Sequence, residues 1–224
     1  MSLIPWLLAL ALLAGPGRAA RADDNDSQQW TLITVQKSLS PRWKLYFEVQ
    51  PRHGSDVGGI ELLVLRPAIG YQLTPKLSVW QGYGWTRLLT PRFVGEHRSF
   101  QQLLYEDSFG RMAFTNRFRL EERFLDGLDG VSLRARYMVR LSYPISRDRR
   151  WSLVGYDELF WNLNSLDRGP ESGLDRNRFF VGVGRQVSRQ LRVETGYVQE
   201  LSNLPRSPAN RRLNVWLVTL NWRL

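Results

Sequence analysis

The chain has 224 residues with no Cys, and its 31 Lys and Arg outnumber its 21 Asp and Glu, which gives a formal net charge of +10. A hydrophobic content of 43%, with 12% aromatic residues, is too high for a disordered polymer. The absence of Cys excludes a disulfide scaffold, a thiolate zinc site and a Cys nucleophile. No stretch reaches the roughly 18 apolar residues of a spanning helix, which excludes a helical membrane protein.

Residues 1–22 are predicted to be a signal peptide. Leu3 to Gly15 form an apolar run of thirteen residues, which is too short to span a bilayer but typical of a signal-peptide core. Ala20-Arg21-Ala22 supplies a small-residue cleavage site directly before the acidic segment 23–26. The alternative is a short buried helix. Export of a chain without Cys indicates the envelope of a Gram-negative bacterium, with residues 23–224 as one domain.

From Gln28 onward the apolar residues recur at every second position, the period of a strand with one apolar and one polar face. In the second predicted strand, for example, Trp43, Leu45 and Phe47 alternate with Lys44 and Tyr46. Many of the predicted strands are long enough to cross a bilayer at a tilt. There are eleven, at 29–39, 42–52, 60–73, 76–89, 99–109, 112–125, 130–144, 150–162, 176–187, 190–201 and 211–224.

The predicted connections alternate between short and long. Tight turns such as Ser40-Pro41 and Ser188-Arg189 alternate with longer segments such as 90–98 and 163–175. Short periplasmic turns and long outer loops are typical of an outer-membrane barrel, so the sequence predicts an all-β, antiparallel, up-and-down transmembrane β-barrel of about 10–12 strands. Because single-chain bacterial barrels have even strand numbers, we expect ten or twelve rather than the eleven counted.

The C-terminal segment carries an assembly signal. Large apolar residues share one face of the last strand, and this pattern resembles the final-strand signal read by the barrel-assembly machinery, although that signal usually ends in Phe. The alternative is the last strand of a soluble sandwich. The residues of this face are Trp216, Val218, Leu220, Trp222 and Leu224. Aromatic residues near strand ends predict interfacial girdles, and these are Trp30, Trp43, Tyr71, Trp151, Trp161 and Trp222.

Three segments together carry a family resemblance. They are Glu96 to Gln102 (EHRSFQQ), Arg117 to Phe124 (RFRLEERF), and Asn177-Arg178 with Gly182 followed by Glu194 to Tyr197 (ETGY). In this order and spacing the chain resembles the domain of unknown function 2490 family, from about Trp30 to Leu224. The resemblance implies a bacterial outer-membrane β-barrel of about this size. It implies no activity.

Charged residues on the polar strand faces are the candidate site residues. Because a lipid-facing Arg at mid-depth costs roughly 2–4 kcal/mol, these side chains are expected to point into the lumen. Two interpretations remain open: a packed plug of paired Arg and Glu, or an Arg-lined constriction that passes or binds an anion. The candidates are Arg117, Arg119, Glu121, Arg123, Arg134, Arg136, Glu158 and Arg178.

The sequence therefore predicts a monomeric, non-enzymatic outer-membrane protein that binds or passes a small, anionic solute or serves envelope architecture. Its expected partners are outer-membrane lipid and lipopolysaccharide, with the barrel-assembly machinery during biogenesis; no nucleic acid, cofactor or metal is expected. One alternative is a lipid A or phospholipid hydrolase in which His97 and Ser99 share a strand face, with Glu106 as a candidate acid only if the next strand brings it close. Another is a soluble periplasmic β protein.

Overall fold

A computed structural model describes residues 25–54, 59–89, 94–203 and 210–224. Every regular element in these ranges is a β-strand, and no helix capable of crossing a membrane occurs there. The predicted signal peptide lies outside the described residues. The strands are β1 Asn25–Ser38, β2 Trp43–His53, β3 Leu62–Gln72, β4 Leu77–Leu88, β5 Val94–Phe109, β6 Met112–Leu125, β7 Ser132–Pro144, β8 Trp151–Asn162, β9 Gly173–Gln186, β10 Leu191–Asn203 and β11 Asn210–Arg223.

The eleven strands form one closed barrel. Each strand pairs with the strands before and after it in the sequence, and β11 pairs with β1 to close the barrel. All of these pairs are antiparallel except β1 with β11, which run parallel from Asn25 opposite Arg212 to Gln36 opposite Arg223. The expectation of ten or twelve strands is therefore wrong. In an up-and-down barrel with an odd number of strands, the first and last strands run in the same direction. A parallel ladder between them satisfies the backbone N–H and C=O groups of both edge strands.

Three strands begin at least three residues earlier than the sequence pattern indicates. β1 starts at Asn25 rather than residue 29. β5 starts at Val94 rather than residue 99, because its ladder with β4 continues to the pair Leu88 and Val94. β9 starts at Gly173 rather than residue 176, because its ladder with β8 continues beyond a register shift between Phe160 and Trp161. The extensions of β5 and β9 shorten two of the long connections and bring Glu96 and Asp175 into the barrel wall.

The two rims of the barrel carry different connections. The short-turn rim carries 39–42, 73–76, 110–111, 145–150 and 187–190, and the long-connection rim carries 54–61, 89–93, 126–131, 163–172 and 204–209. Three of the short turns share one arrangement, in which a hydroxyl oxygen accepts hydrogen bonds from the backbone N–H groups two and three residues later. The hydroxyls belong to Ser40, Thr74 and Ser188. Such local bonds stabilise tight turns, which explains Ser or Thr at each of them.

The outer face of the barrel is apolar. Large side chains such as Phe47, Leu120 and Leu153 point away from the lumen and are at least one-third exposed. Trp43 packs edge-on against Tyr71 near the short-turn rim, with ring centroids 4.9 Å apart. Trp151 and Trp161 of the predicted girdles also lie on the outer face, at 41% and 52% exposure. Trp222 follows the outer alternation of β11 and also borders the lumen at the short-turn rim.

Trp30 is the exception, because its side chain points into the lumen and is only 1% exposed. Its prediction as a girdle residue is wrong. The ring instead joins an apolar cluster that fills one side of the lumen, where β1 meets β8 to β11. The cluster consists of Trp30, Val154, Phe180, Val198, Leu213, Val215 and Leu217.

The last strand has the two faces that its sequence predicts. Trp216, 54% exposed, shares the outer face with Val218, Leu220 and Trp222, and Leu224 ends the chain at 56% exposure. The inner face is apolar near the long-connection rim and polar from Thr219 onward. The C-terminal backbone N–H of Leu224 donates to the carbonyl of Gln36, which fixes the end of β11 against β1.

Candidate functional site

The lumen brings together all eight charged residues that the sequence singled out. Seven of them are less than a tenth exposed, and Arg117 is half-buried. Their alternation along β6, β7, β8 and β9 places each of them on an inner face, because a closed barrel turns every second side chain inward. What this geometry does chemically depends on how the charges are paired.

Glu121 is the centre of the pairing. Its carboxylate accepts hydrogen bonds from Arg134 at 2.6 Å and from Arg136 at 2.7 Å, on the neighbouring strand β7. Arg98 and Arg119 approach the same carboxylate at 3.5 and 3.7 Å. The Glu121 side chain is fully shielded from solvent, so four guanidinium groups surround one buried negative charge.

Glu158 forms the second centre, opposite Met138 on β7, whereas Glu121 lies opposite Arg134 on the same strand. It accepts hydrogen bonds from Arg117 at 2.7 Å and from Arg136 at 2.9 Å. Arg178 approaches it at 3.9 Å and donates to Glu200 on β10. Arg136 therefore bridges Glu121 and Glu158, and the pairing is continuous from β6 to β10.

Several members of this network were not predicted as site residues. Glu96 pairs with Arg123 at 2.8 Å and with Arg98 at 2.7 Å near the long-connection rim, and Glu48 pairs with Arg66 on the opposite wall. Glu48 lies on the polar face of a recognised alternation and could have been included. Glu96 and Arg98 lay in a segment assigned to a loop, so their inward direction was not visible in the sequence.

We call the buried ion-paired residues near the long-connection rim and at mid-height the charged lattice. Together with inward aromatic rings they pack the interior of the lumen, and each strand contributes at least one inward side chain that is less than a tenth exposed. Examples from β1 to β11 are Trp30, Gln50, Arg66, Trp80, Phe100, Glu121, Arg134, Phe160, Arg178, Glu200 and Leu213. The charged lattice consists of Glu96, Arg98, Arg119, Glu121, Arg123, Arg134, Arg136, Glu158, Arg178 and Glu200.

Aromatic rings separate the guanidinium groups of the charged lattice. Arg136 lies 4.3 Å from the Phe160 ring centroid, and Arg119 lies 4.1 Å from that of Phe100. A guanidinium over a ring face is attracted by the ring quadrupole while its edge remains free for hydrogen bonds. These contacts pack the arginines that outnumber the available carboxylates.

On the short-turn side of the charged lattice lies a cavity of about 710 Å³, which opens at the short-turn rim beside Gln186, Arg189, Gln190 and Arg223. We call it the lumen cavity. Eight arginines and four glutamates from the described residues line it, so its wall is positively charged. The arginines are Arg66, Arg117, Arg136, Arg140, Arg178, Arg189, Arg192 and Arg223, and the glutamates are Glu48, Glu106, Glu158 and Glu194.

Some of these arginines have hydrogen-bond donors to spare. Arg140 and Arg192 both donate to the same oxygen of Glu194, at 2.6 and 2.7 Å, so two cations share one carboxylate. The Nε atoms of Arg66 and Arg117 are buried and have no hydrogen-bond partner among the described residues. A guanidinium offers five N–H donors in a planar fork that fits carboxylate and phosphate oxygens.

The residues of the hydrolase alternative lie elsewhere. His97 and Ser99 do share a face, but it is the outer face of β5, where the His97 ring hydrogen-bonds to Tyr83 and Ser99 accepts from Gln81 at 3.1 Å. No hydrogen bond joins His97 to Ser99 or to a carboxylate among the described residues. Glu106 lines the lumen cavity on the opposite face of the same strand, so its selection as the orienting acid is wrong.

Comparisons with known proteins give a family but no activity. The sequence profile of the family described as protein of unknown function (DUF2490) matches residues 27–211. An uncharacterised protein of Methylorubrum extorquens is 32% identical over 201 residues, which cover 87% of this chain and 86% of that protein. No solved structure matches. The resemblance seen in the sequence is thereby confirmed.

Proposed function

Because the chain belongs to the DUF2490 family, whose description assigns no activity, we propose a function from the barrel itself: an outer-membrane, non-enzymatic protein that binds a small anion in the lumen cavity. The observation that carries the proposal is the charge of the cavity wall, with eight arginines against four glutamates. The charged lattice closes the other end. The site is therefore a blind pocket that a solute enters and leaves at the short-turn rim.

The outer face supports the membrane location. Its strands have 11 to 16 residues, which meets or exceeds the roughly 9–11 that a tilted strand needs to cross a bilayer. A predominantly apolar exposed surface of this extent would promote aggregation in water, and this argues against the soluble alternative. By the usual orientation of such barrels, short turns face the periplasm, so the solute comes from the periplasmic side.

The charge balance favours an anion over a neutral or cationic solute. Near the mouth, the ion pairs of Arg140 and Arg192 with Glu194 leave one positive charge uncompensated. Arg189 and Arg223 add two positive charges and Glu106 adds one negative charge, so the net charge of these groups is +2. A cavity of about 710 Å³ has the size of ordinary small-ligand sites. Low-dielectric walls strengthen the attraction of an anion to these groups.

Calorimetric titration of the refolded mature protein in detergent with inorganic phosphate tests the proposal. We expect saturable binding that weakens about 10-fold or more in Arg140→Gln and Arg192→Gln, because a hydrogen bond to a charged group contributes about 1.5–3 kcal/mol. Arg150→Gln is the matched control, since Arg150 lies in the turn 145–150 and its side chain is 65% exposed. Heat-modifiable mobility in gels verifies that each variant is folded.

Two results would contradict the proposal. One is the absence of anion binding by the folded wild-type protein at low ionic strength, where attraction is strongest. The other is a series of reproducible conductance steps in planar bilayers, which would show a lumen that is open from rim to rim rather than closed by the charged lattice.

A further inference from the structure

The wall of the lumen cavity is divided into a charged side and an apolar side. The inward side chains of Leu32, Phe180 and Leu217 form an apolar surface contributed by β1, β9 and β11. Tyr156 extends it, with its ring stacked on that of Phe180 at a centroid distance of 4.9 Å. A site for a fully hydrated ion such as phosphate does not require such a surface.

The two sides are arranged along the depth of the cavity. Arg192 is the second residue of β10 counted from the short-turn rim, and Arg140 is the fifth residue of β7 from the same rim. Leu217, Leu32 and Phe180 are each six residues or more from that rim on their strands. A molecule entering from the rim therefore passes the paired arginines first and reaches the apolar surface behind them.

We propose that the lumen cavity takes an amphipathic anion, a carboxylate with an apolar body, whose charged end lies at Arg140 and Arg192 and whose apolar end lies against Leu32, Phe180 and Leu217. This inference rests on the proposed anion site and names its ligand class. The shared Glu194 leaves donors free at both arginines for a second carboxylate. The apolar end gains by leaving water, in proportion to the area that it buries.

A homologous ligand series measures the contribution of each side. Acetate, butyrate and hexanoate carry the same charge and differ only in methylene groups. If the apolar end lies against the apolar surface, affinity in calorimetric titrations of the refolded protein rises about fourfold per added methylene, the effect expected for complete burial of each group. 1-Hexanol, titrated in parallel, has a similar body without the charge, and we expect it to bind at least 10-fold more weakly than hexanoate. Detergent micelles alone supply the blank.

A variant of the apolar side separates this inference from the anion site. Leu32→Asn should reduce the affinity for hexanoate at least fivefold and leave that for phosphate unchanged. Val187→Asn is the matched control, because Val187 is 51% exposed in a short turn outside the cavity. Leu32 is only partly buried, so its replacement disturbs packing less than that of a core residue.

The outcomes are distinguishable. An affinity that does not change from acetate to hexanoate, with phosphate still bound, would overturn the amphipathic ligand and leave the anion site standing. Equal binding of 1-hexanol and hexanoate would overturn it as well, since the charge would then contribute nothing. If the folded protein binds none of the anions, both proposals fail together.

Discussion

At the scale of single residues, Glu121 is the carboxylate on which the charged lattice depends most. It is 1% exposed and holds Arg134 and Arg136 by direct hydrogen bonds, with two further arginines within 3.7 Å. Removing one partner of a buried ion pair leaves uncompensated buried charge, which costs about 3–5 kcal/mol. We therefore expect Glu121→Gln to lower the free energy of unfolding by about that amount in urea titrations in detergent.

The next residue in the chain is the matched control for this prediction. Glu122 carries the same carboxylate but points to the outer face, where it is only partly buried. Glu122→Gln should not lower the free energy of unfolding, because it removes a charge from the outer face, which contacts detergent or lipid, and not one partner of a buried ion pair. Equal losses in the two variants would mean that the lattice does not stabilise the barrel through Glu121.

At the scale of strands, two glycines on β9 and β10 allow a ring to lie flat against the inner wall. Gly182 and Gly196 are directly opposite each other, and the ring of Phe180 lies over both. A Cβ atom at Gly182 would be 2.6 Å from that ring and 2.3 Å from the carbonyl oxygen of Thr195. Because neither position has space for a methyl group, the apolar side of the lumen cavity depends on both.

We expect Gly182→Ala to destabilise the barrel by about 1–3 kcal/mol, the usual cost of overpacking, and to lower the temperature at which gel mobility shifts. Gly155→Ala on the adjacent strand β8 is the control, since its Cβ would meet only the Phe180 carbonyl oxygen at an ordinary 3.5 Å. A Gly182→Ala barrel as stable as the control would show that the ring and the backbone move aside at little cost.

The strands also show what could and could not be read from the sequence. Alternation was sufficient for β6 and β7, because one face carries Arg and Glu and the other carries Leu and Phe. Alternation did not decide which residues of β4 and β5 point inward, because the inward residues Trp80 and Phe100 are as large and apolar as the outward ones. Their direction depends on what fills the lumen, a property of the closed barrel. The same reason explains the wrong prediction for Trp30.

At the scale of the whole molecule, the parallel ladder determines where the first strand begins. β1 runs alongside β11, which starts at the long-connection rim and ends at the short-turn rim. β1 therefore also starts at the long-connection rim. In a barrel with an even number of strands, the first and last strands are antiparallel, and β1 would start at the short-turn rim. Because the strand number is odd, β1 starts on the side of the proposed membrane that carries the long connections.

Because the chain has no Cys, single-cysteine variants test this arrangement in whole cells. Ser27 lies near the start of β1, Asp167 in a long connection and Ser188 in a short turn, and all three are exposed. With short turns in the periplasm, a membrane-impermeant maleimide should label S27C and D167C in intact cells, and S188C only after the outer membrane is permeabilised. Labelling of D167C without S27C would contradict the parallel ladder. Labelling of S188C without D167C would instead invert the orientation, so that the lumen cavity would open to the outside and take its anion from the medium.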